Sequence, residues 1–209
     1  MAQIVRQTPI LRLLDRQTFT ANGTWNKPAD FAGNIAAGRG AVVRYKLIGG
    51  GAGGGCTSFG DTGGYVDGGE GGEVLRGEVG IEQTANTESV AVAASAPSGT
   101  AGNDTLFGAL ARAGGGRASR ANSDGNGPFP NITGGSRAGH GGWINNIGNQ
   151  SQRGGPGCDG SGDGGDGQAD GGSAATGNPG AAPGGGGGAG TSAGGAGARG
   201  EATIEVWGY

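Results

Sequence analysis

The first residues to weigh for chemistry are Gly49 to Gly55, GGGAGGG, which contain matches to the Gly-x-Gly-x-x-Gly dinucleotide fingerprint. They follow a strand-like stretch, as such a site requires, but no helical pattern comes after them. A phosphate loop needs Gly-Lys-Ser or Gly-Lys-Thr, and neither Lys27 nor Lys46 follows a glycine. Gly154 to Asp159, GGPGCD, matches the start of a calcium-binding nonapeptide. That repeat needs an apolar residue two places after the aspartate, where this chain has Ser161, and no second copy follows in register. Asp159, Asp163, Asp166 and Asp170 offer oxygens for a hard cation, yet they read better as solvated acids. The single histidine, His140, lies in AGHGGW, without apolar walls for a nucleophile pocket. No catalytic centre, cofactor or metal site is therefore expected.

What remains is binding chemistry. Asn126 to Ile132 and Arg137 to Asn146 interrupt the glycine pattern and gather aromatic and amide side chains. Aromatic residues anchor binding sites, and Asn or Arg hold polar groups such as sugar hydroxyls. Phe129, Arg137, His140, Trp143, Asn145 and Asn146 are the candidate contacts. The alternative is that Trp143 and Ile144 only cap the glycine body as a small satellite core.

The elements that must position these residues are unusual. Of 209 residues, 56 are glycine and 33% are hydrophobic; ordinary domains carry about 7% glycine. Between Gly114 and Gly200 glycine is the dominant building material. Such composition defaults to a flexible linker. Ordering it costs about 1–2 kcal/mol per residue, which only a network of backbone hydrogen bonds, each contributing about 0.5–1.5 kcal/mol, can offset. Polyproline-II helices have three residues per turn and point N–H and C=O outward. Glycine on the facing side lets them pack and bond to one another. Glycine recurs every third residue at Gly154, Gly157, Gly160; at Gly184, Gly187, Gly190; and at Gly194, Gly197, Gly200. The period breaks between runs, which excludes a collagen rod and suits short helices that turn back.

Strands bracket this body. AVVRYKLI (Ala41 to Ile48) alternates apolar and charged residues, and ATIEVW (Ala202 to Trp207) places Ile204 and Val206 on one face. Glu73 to Val79 and Glu88 to Ala94 are further strand candidates. Thr105 to Ala111 fits a strand or a helical turn. Asn22-Gly23 signals a hairpin between Phe19 and Pro28. Ahead of it, Pro9 to Arg16 fits two helical turns in an N-terminal arm rich in Ile4, Val5, Ile10, Leu11, Leu13 and Leu14. The arm either lies on its own domain or docks into a larger assembly. Charged residues within it argue against a secretory signal. No apolar run is long enough to span a membrane as a helix, and a net charge of −3 gives no footprint for nucleic acid. Cys56 and Cys158 do not make a disulfide framework, so free thiols and synthesis in the cytoplasm are expected.

FTANGTWNKP, VVRYKLIGGGAGGG and GARGEATIEVW, in that order, resemble the glycine-rich domain of bacteriophage tail fibres and tail-tip adhesins. The matching positions are Phe19, Thr20, Gly23, Thr24, Trp25 and Pro28, then Val43, Leu47, Ile48 and Gly49 to Gly51, then Arg199, Gly200, Ile204 and Val206. Asn103 to Gly108 and Ala113 to Gly116 resemble a further element of that domain. The resemblance covers the chain from Phe19 onward. It implies a non-enzymatic tip adhesin in the virion tail that binds a host-surface glycan or outer-membrane protein. It also implies a homotrimer held among other tail and fibre proteins, without nucleic acid or membrane insertion. One alternative is a structural virion part that docks through Ile4, Val5, Ile10, Leu11 and Leu14 and never touches the host. Another is an ice-binding polyglycine protein, for which the mixed loops around Arg137 and Trp143 are a poor match. The expected fold is mostly β and irregular, with little α-helix. Residues 1–18 form a docking arm, 19–112 a β-rich part, and 113–209 a body of packed polyproline-II-like helices with a closing strand at 202–207.

Overall fold

The computed structural model describes residues 10–29, 31, 40–56, 65–118, 121–122, 138–139, 141–142, 144–145, 150–151, 157, 160–168 and 175–208. Among these the chain is mostly β, and the only helical stretch longer than a single residue is a short 3-10 turn at Ile81–Gln83. One antiparallel sheet is built from β1 (Arg12–Phe19), β12 (Glu201–Gly208), β3 (Val42–Ile48) and β5 (Val74–Gly80), in that spatial order. A second has the order β2 (Gly23–Asn26), β6 (Thr87–Ala91), β7 (Thr105–Phe107) and β8 (Ala111–Ala113). The core between them follows period-two alternation. Val43 and Leu47 of β3 and Ala202, Ile204 and Val206 of β12 meet Trp25, Val90 and Phe107 from the other sheet. Trp25 and Phe107 meet edge to face, with ring centroids 5.6 Å apart. Tyr45 lies across Gly77, its cross-strand partner, and fills the space a side chain would take there.

Two expectations are corrected, and a third that was left open is decided. The proposed helical turns over Pro9 to Arg16 are instead strand from Arg12 onward, and β1 pairs along its length with β12. Two isolated turns of helix are marginal in water, whereas β12 presents a full row of backbone partners. Residues Arg12 to Thr18 thus belong to the main sheet, and the boundary at 18/19 falls inside β1. Asn22-Gly23 is a corner and not a hairpin, because β1 pairs with β12 while β2 pairs with β6. The Val92 N–H donates to Asn22 Oδ1 at 2.8 Å, fixing the corner. Thr105 to Ala111 is strand and turn, with Gly108 at φ 50 between β7 and β8.

The strands run into the glycine segments without losing register. β3 and β5 end their pairing at Ile48 and Val74. The same register continues as Gly49 N–H to Glu73 O, Ala52 to Glu70 O and Gly55 to Asp67 O. Pairing of β3 with β12 continues as Gly51 to Ala198 O and Gly54 to Gly195 O. Pairing of β7 with β8 continues as Gly102 to Gly116 O. What changes is the period: bonds to a given neighbour recur every third residue, and the intervening Gly50 and Gly53 donate to Asn103 O and Thr100 O. Segment 184–190 sits at the middle. It is bonded to 49–55, 67–73, 138–142, 162–168, 177–181 and 194–200. These bonds cross residue 112 repeatedly, so the two parts divided there are interleaved, and the division itself falls within β8.

The outer segment 114–117 is clasped by carboxylates. Gly114 N–H donates to Glu73 Oε2 at 2.8 Å, Gly115 to Asp104 Oδ1 at 3.0 Å and Arg117 to Glu70 Oε2 at 3.2 Å. Burial works against the charge on Asp104. The Arg112 hydrogen bond, the Gly115 amide and the Arg112 charge outweigh it and hold the carboxyl below its usual 3.8. A carboxyl lowered by folding stabilises the native state above its unfolded value, and that contribution is lost as pH falls through the folded value. Asp104→Asn should therefore flatten the loss of stability below about pH 4. Urea midpoints compared from neutral to acid pH check this; parallel curves for both proteins would refute it.

Candidate functional site

A third, small sheet lies at the far end of the glycine body. Its order is β11 (Gln150–Ser151), β10 (Ile144–Asn145), β4 (Tyr65–Val66) and β9 (Ala121–Asn122). It too continues the glycine registers. Gly141 N–H to Gly69 O runs on to Ile144 paired with Val66, and Glu70 N–H to Arg117 O runs on to Val66 paired with Ala121. The body is therefore held in register from both ends. Val66, 1% exposed, and Ala189, fully buried, form a satellite core beneath the small sheet. Of the two residues expected to cap the body, Ile144 has its backbone in β10 and Trp143 lies outside the described residues.

Of the six sequence candidates, Asn145 has its backbone in β10, between Tyr65 and Gln150. Phe129, Arg137, His140, Trp143 and Asn146 lie outside the described residues. β10 itself lies at the end of the glycine body away from the sandwich. Tyr65 and Asn122 have their backbones in the same small sheet. They are remote from Asn145 in the chain, and only strand pairing unites them.

For the proposed docking residues, Ile10 is 77% exposed and Leu14 44% exposed, and Leu13 beside them is equally open at 44%. Leu11 is half-buried, and Ile4 and Val5 lie outside the described residues. β1 forms an edge of the main sheet, and its register shifts between Leu13 and Asp15. Such a bulge blunts an edge against uncontrolled pairing.

A groove on the outer face of the main sheet is lined by Arg16, Arg44, Lys46, Arg76, Glu78, Glu201 and Glu205, among others. Charges alternate along one cross-strand row, Arg16, Glu205, Arg44 and Glu78. Arg16 pairs with Glu205 at 3.3 Å and Arg44 with Glu78 at 3.2 Å, while Arg44 also lies 5.2 Å over the Trp207 ring. Exposed pairs of this kind contribute about 0–1 kcal/mol, and the arrangement reads as a solvated sheet face.

Cys56 is an exposed free thiol, and Cys158 lies outside the described residues. No group of three metal-ligating side chains occurs among the described residues. Asp163 accepts the Gly157 N–H at 2.6 Å, and Asp159 and Asp170 lie outside the described residues. No helix among the described residues is long and apolar enough to cross a membrane. No protein-family model matches this chain, and no curated protein is similar to it.

Proposed function

We propose that the chain is a phage tail-fibre tip adhesin: a non-catalytic virion protein that binds a host-surface receptor. One observation carries the reading. The elements that resemble tail-fibre glycine-rich domains form a single frame. Trp25 packs in the sandwich core, β3 leaves through Ile48 into Gly49, and Arg199-Gly200 leads back into β12 beside β3. On this reading the glycine segments are polyproline-II-like helices. The three-residue recurrence of their bonds, with successive amides serving different neighbours, supports that geometry. A stiff glycine body then carries receptor contacts at the end away from the sandwich. A homotrimer in the virion tail, alongside other fibre proteins, would add avidity to weak single sites.

Labelled protein should stain susceptible bacteria within a strain panel, and soluble host-surface extract should compete. A double variant, Trp143→Ala with Asn145→Ala, should lower staining at least tenfold with an unchanged melting temperature. Full staining by that variant would remove these residues from the site. Absence of staining on every strain would favour the second reading, a structural tail part that docks through its N-terminal segment. The exposure of Ile10, Leu13 and Leu14 on an edge strand is what supports that alternative.

A further inference from the structure

The outer face of the main sheet carries two cross-strand rows side by side. In the first, Arg16, Glu205, Arg44 and Glu78, opposite charges meet and cancel. The second lies two residues along each strand, and so on the same face: Thr18, Thr203, Lys46 and Arg76. Thr18 and Thr203 bring their hydroxyls to 3.5 Å. Lys46 and Arg76 are direct cross-strand partners of like charge, an arrangement that destabilises a sheet. Thr203, Lys46 and Arg76 line the same groove as the first row, about 570 Å³ in volume and within the range of small-ligand sites. Glu201 lines it too. Each of these three carboxylates has a cation at hand: Glu205 has Arg16, Glu78 has Arg44, and Glu201 has Arg199 at 4.0 Å.

We propose that Lys46 and Arg76 form a binding site for a phosphorylated saccharide, with one phosphate seated between the two cations. The site is separate from the receptor contact at the far end of the glycine body and does not depend on it. A phosphate monoester carries a charge of about −1.5 to −2 at neutral pH, which matches two cations better than a carboxylate's single charge. The guanidinium offers a planar fork that fits phosphate oxygens, and the ammonium a compact point charge. Both groups carry several donors, so each can take a phosphate in addition to its other bonds. The Lys46 ammonium is also confined, since a Cβ on Gly160 would stand 3.1 Å from Nζ. A confined side chain has less freedom to lose on binding. The carboxylates around the pair define the rest of the ligand. An ionised carboxylate accepts at about four lone-pair sites, so Glu78, Glu201 and Glu205 keep acceptors for sugar hydroxyls beside their ion pairs. The same three charges repel a polyanion such as nucleic acid. One phosphate on a neutral, hydroxyl-rich body is the chemistry that fits. Because the face is solvated, such a ligand displaces only water.

Full-length protein would be titrated calorimetrically with the 6-phosphates of glucose, mannose and N-acetylglucosamine and with their parent sugars. Galacturonate, a phosphoserine peptide and a short DNA duplex complete the set, and staining of the bacterial panel runs in parallel. At least one sugar phosphate should bind saturably, at least tenfold tighter than its parent sugar, and more weakly as salt is raised. Lys46→Gln with Arg76→Gln should weaken that binding at least tenfold. If the double variant fails to fold, Arg76→Gln decides, because Arg76 is exposed; it should lower affinity at least threefold. Arg12→Gln, at an exposed arginine outside the groove, should leave binding unchanged. Parent sugars that bind as tightly as their phosphates, or binding indifferent to both substitutions, would overturn the proposal. Galacturonate bound equally well would overturn the preference for phosphate, and the peptide or duplex bound equally well would overturn the saccharide. Staining with no sugar phosphate bound would overturn this site and leave the adhesin reading in place. Sugar-phosphate binding without staining would keep the site and overturn the adhesin reading.

Discussion

Gly187→Val is expected to abolish the folded glycine body, with a loss of about 3 kcal/mol or more, at or beyond the upper end for overpacked cores. A Cβ at Gly187 would sit on the carbonyl of Gly195 and 2.8 Å from that of Ala196. In an ordinary core the neighbouring side chain changes rotamer. Here the neighbour is backbone, and it is bonded in turn. Gly195 and Ala198 donate to Gly188 and Gly185 on one side and accept from Gly54 and Gly51 on the other. Moving segment 194–200 outward therefore breaks several bonds, each contributing about 0.5–1.5 kcal/mol. It also pulls on the start of β12. Gly40→Ala is the control, since nothing lies within 4 Å of a Cβ at that position; its effect should stay within about 0.5 kcal/mol. Thermal and urea unfolding of both variants make the comparison. A Gly187→Val protein that melts with the wild type would refute the packing of backbone on backbone.

The second large effect is expected at Trp25. The ring is fully buried and meets Phe107 at an interplanar angle of 89°. Trp25→Ala should cost about 3–5 kcal/mol, the range for losing a large aromatic from a core. The consequence should not stop at the sandwich. β3, β5, β12, β7 and β8 hand their registers to the glycine segments, which carry almost no apolar surface of their own. Without that template their ordering cost of about 1–2 kcal/mol per residue has too little to offset it. Hydrogen exchange should show amides of 184–190 opening together with those of β3 and β12. Glycine amides that stay protected after the sandwich opens would show a body stable by itself. Trp25→Phe should be much milder. Trp25 Nε1 has no hydrogen-bond partner among the described residues, so removing it costs no bond.

Much of the sandwich was legible because burial leaves a period-two trace. Val43, Leu47, Ile204 and Val206 alternate with charged residues, and all four face the core. The N-terminal leucines left no such trace. Leu13 and Leu14 are adjacent, with Leu14 inside the bulge, so their spacing fitted a helix as well as a strand. Asn22-Gly23 announced a turn correctly but said nothing about where the chain went next. That depended on Trp25, which is buried only if β2 joins the second sheet. Recurrence of glycine at Gly184, Gly187 and Gly190 predicted close approach every third residue. It could not name the partners, because glycine has no side chain with which to specify one.

Taken alone, the chain determined its alternating core strands, the turn at Asn22-Gly23, and that glycine backbone must serve as the packing material between Gly114 and Gly200. Those are local properties, written in side-chain alternation and in glycine's missing Cβ. Tertiary structure decided the partners. β3 and β12 lie side by side and impose their register on Gly49 to Gly55 and Gly195 to Ala198. At the other end the same registers bring Tyr65, Asn122, Asn145 and Gln150 into one row. Backbone hydrogen bonds are chemically identical from residue to residue, so register cannot be encoded in the glycines. It is set by the side chains of the sandwich and transmitted through the body.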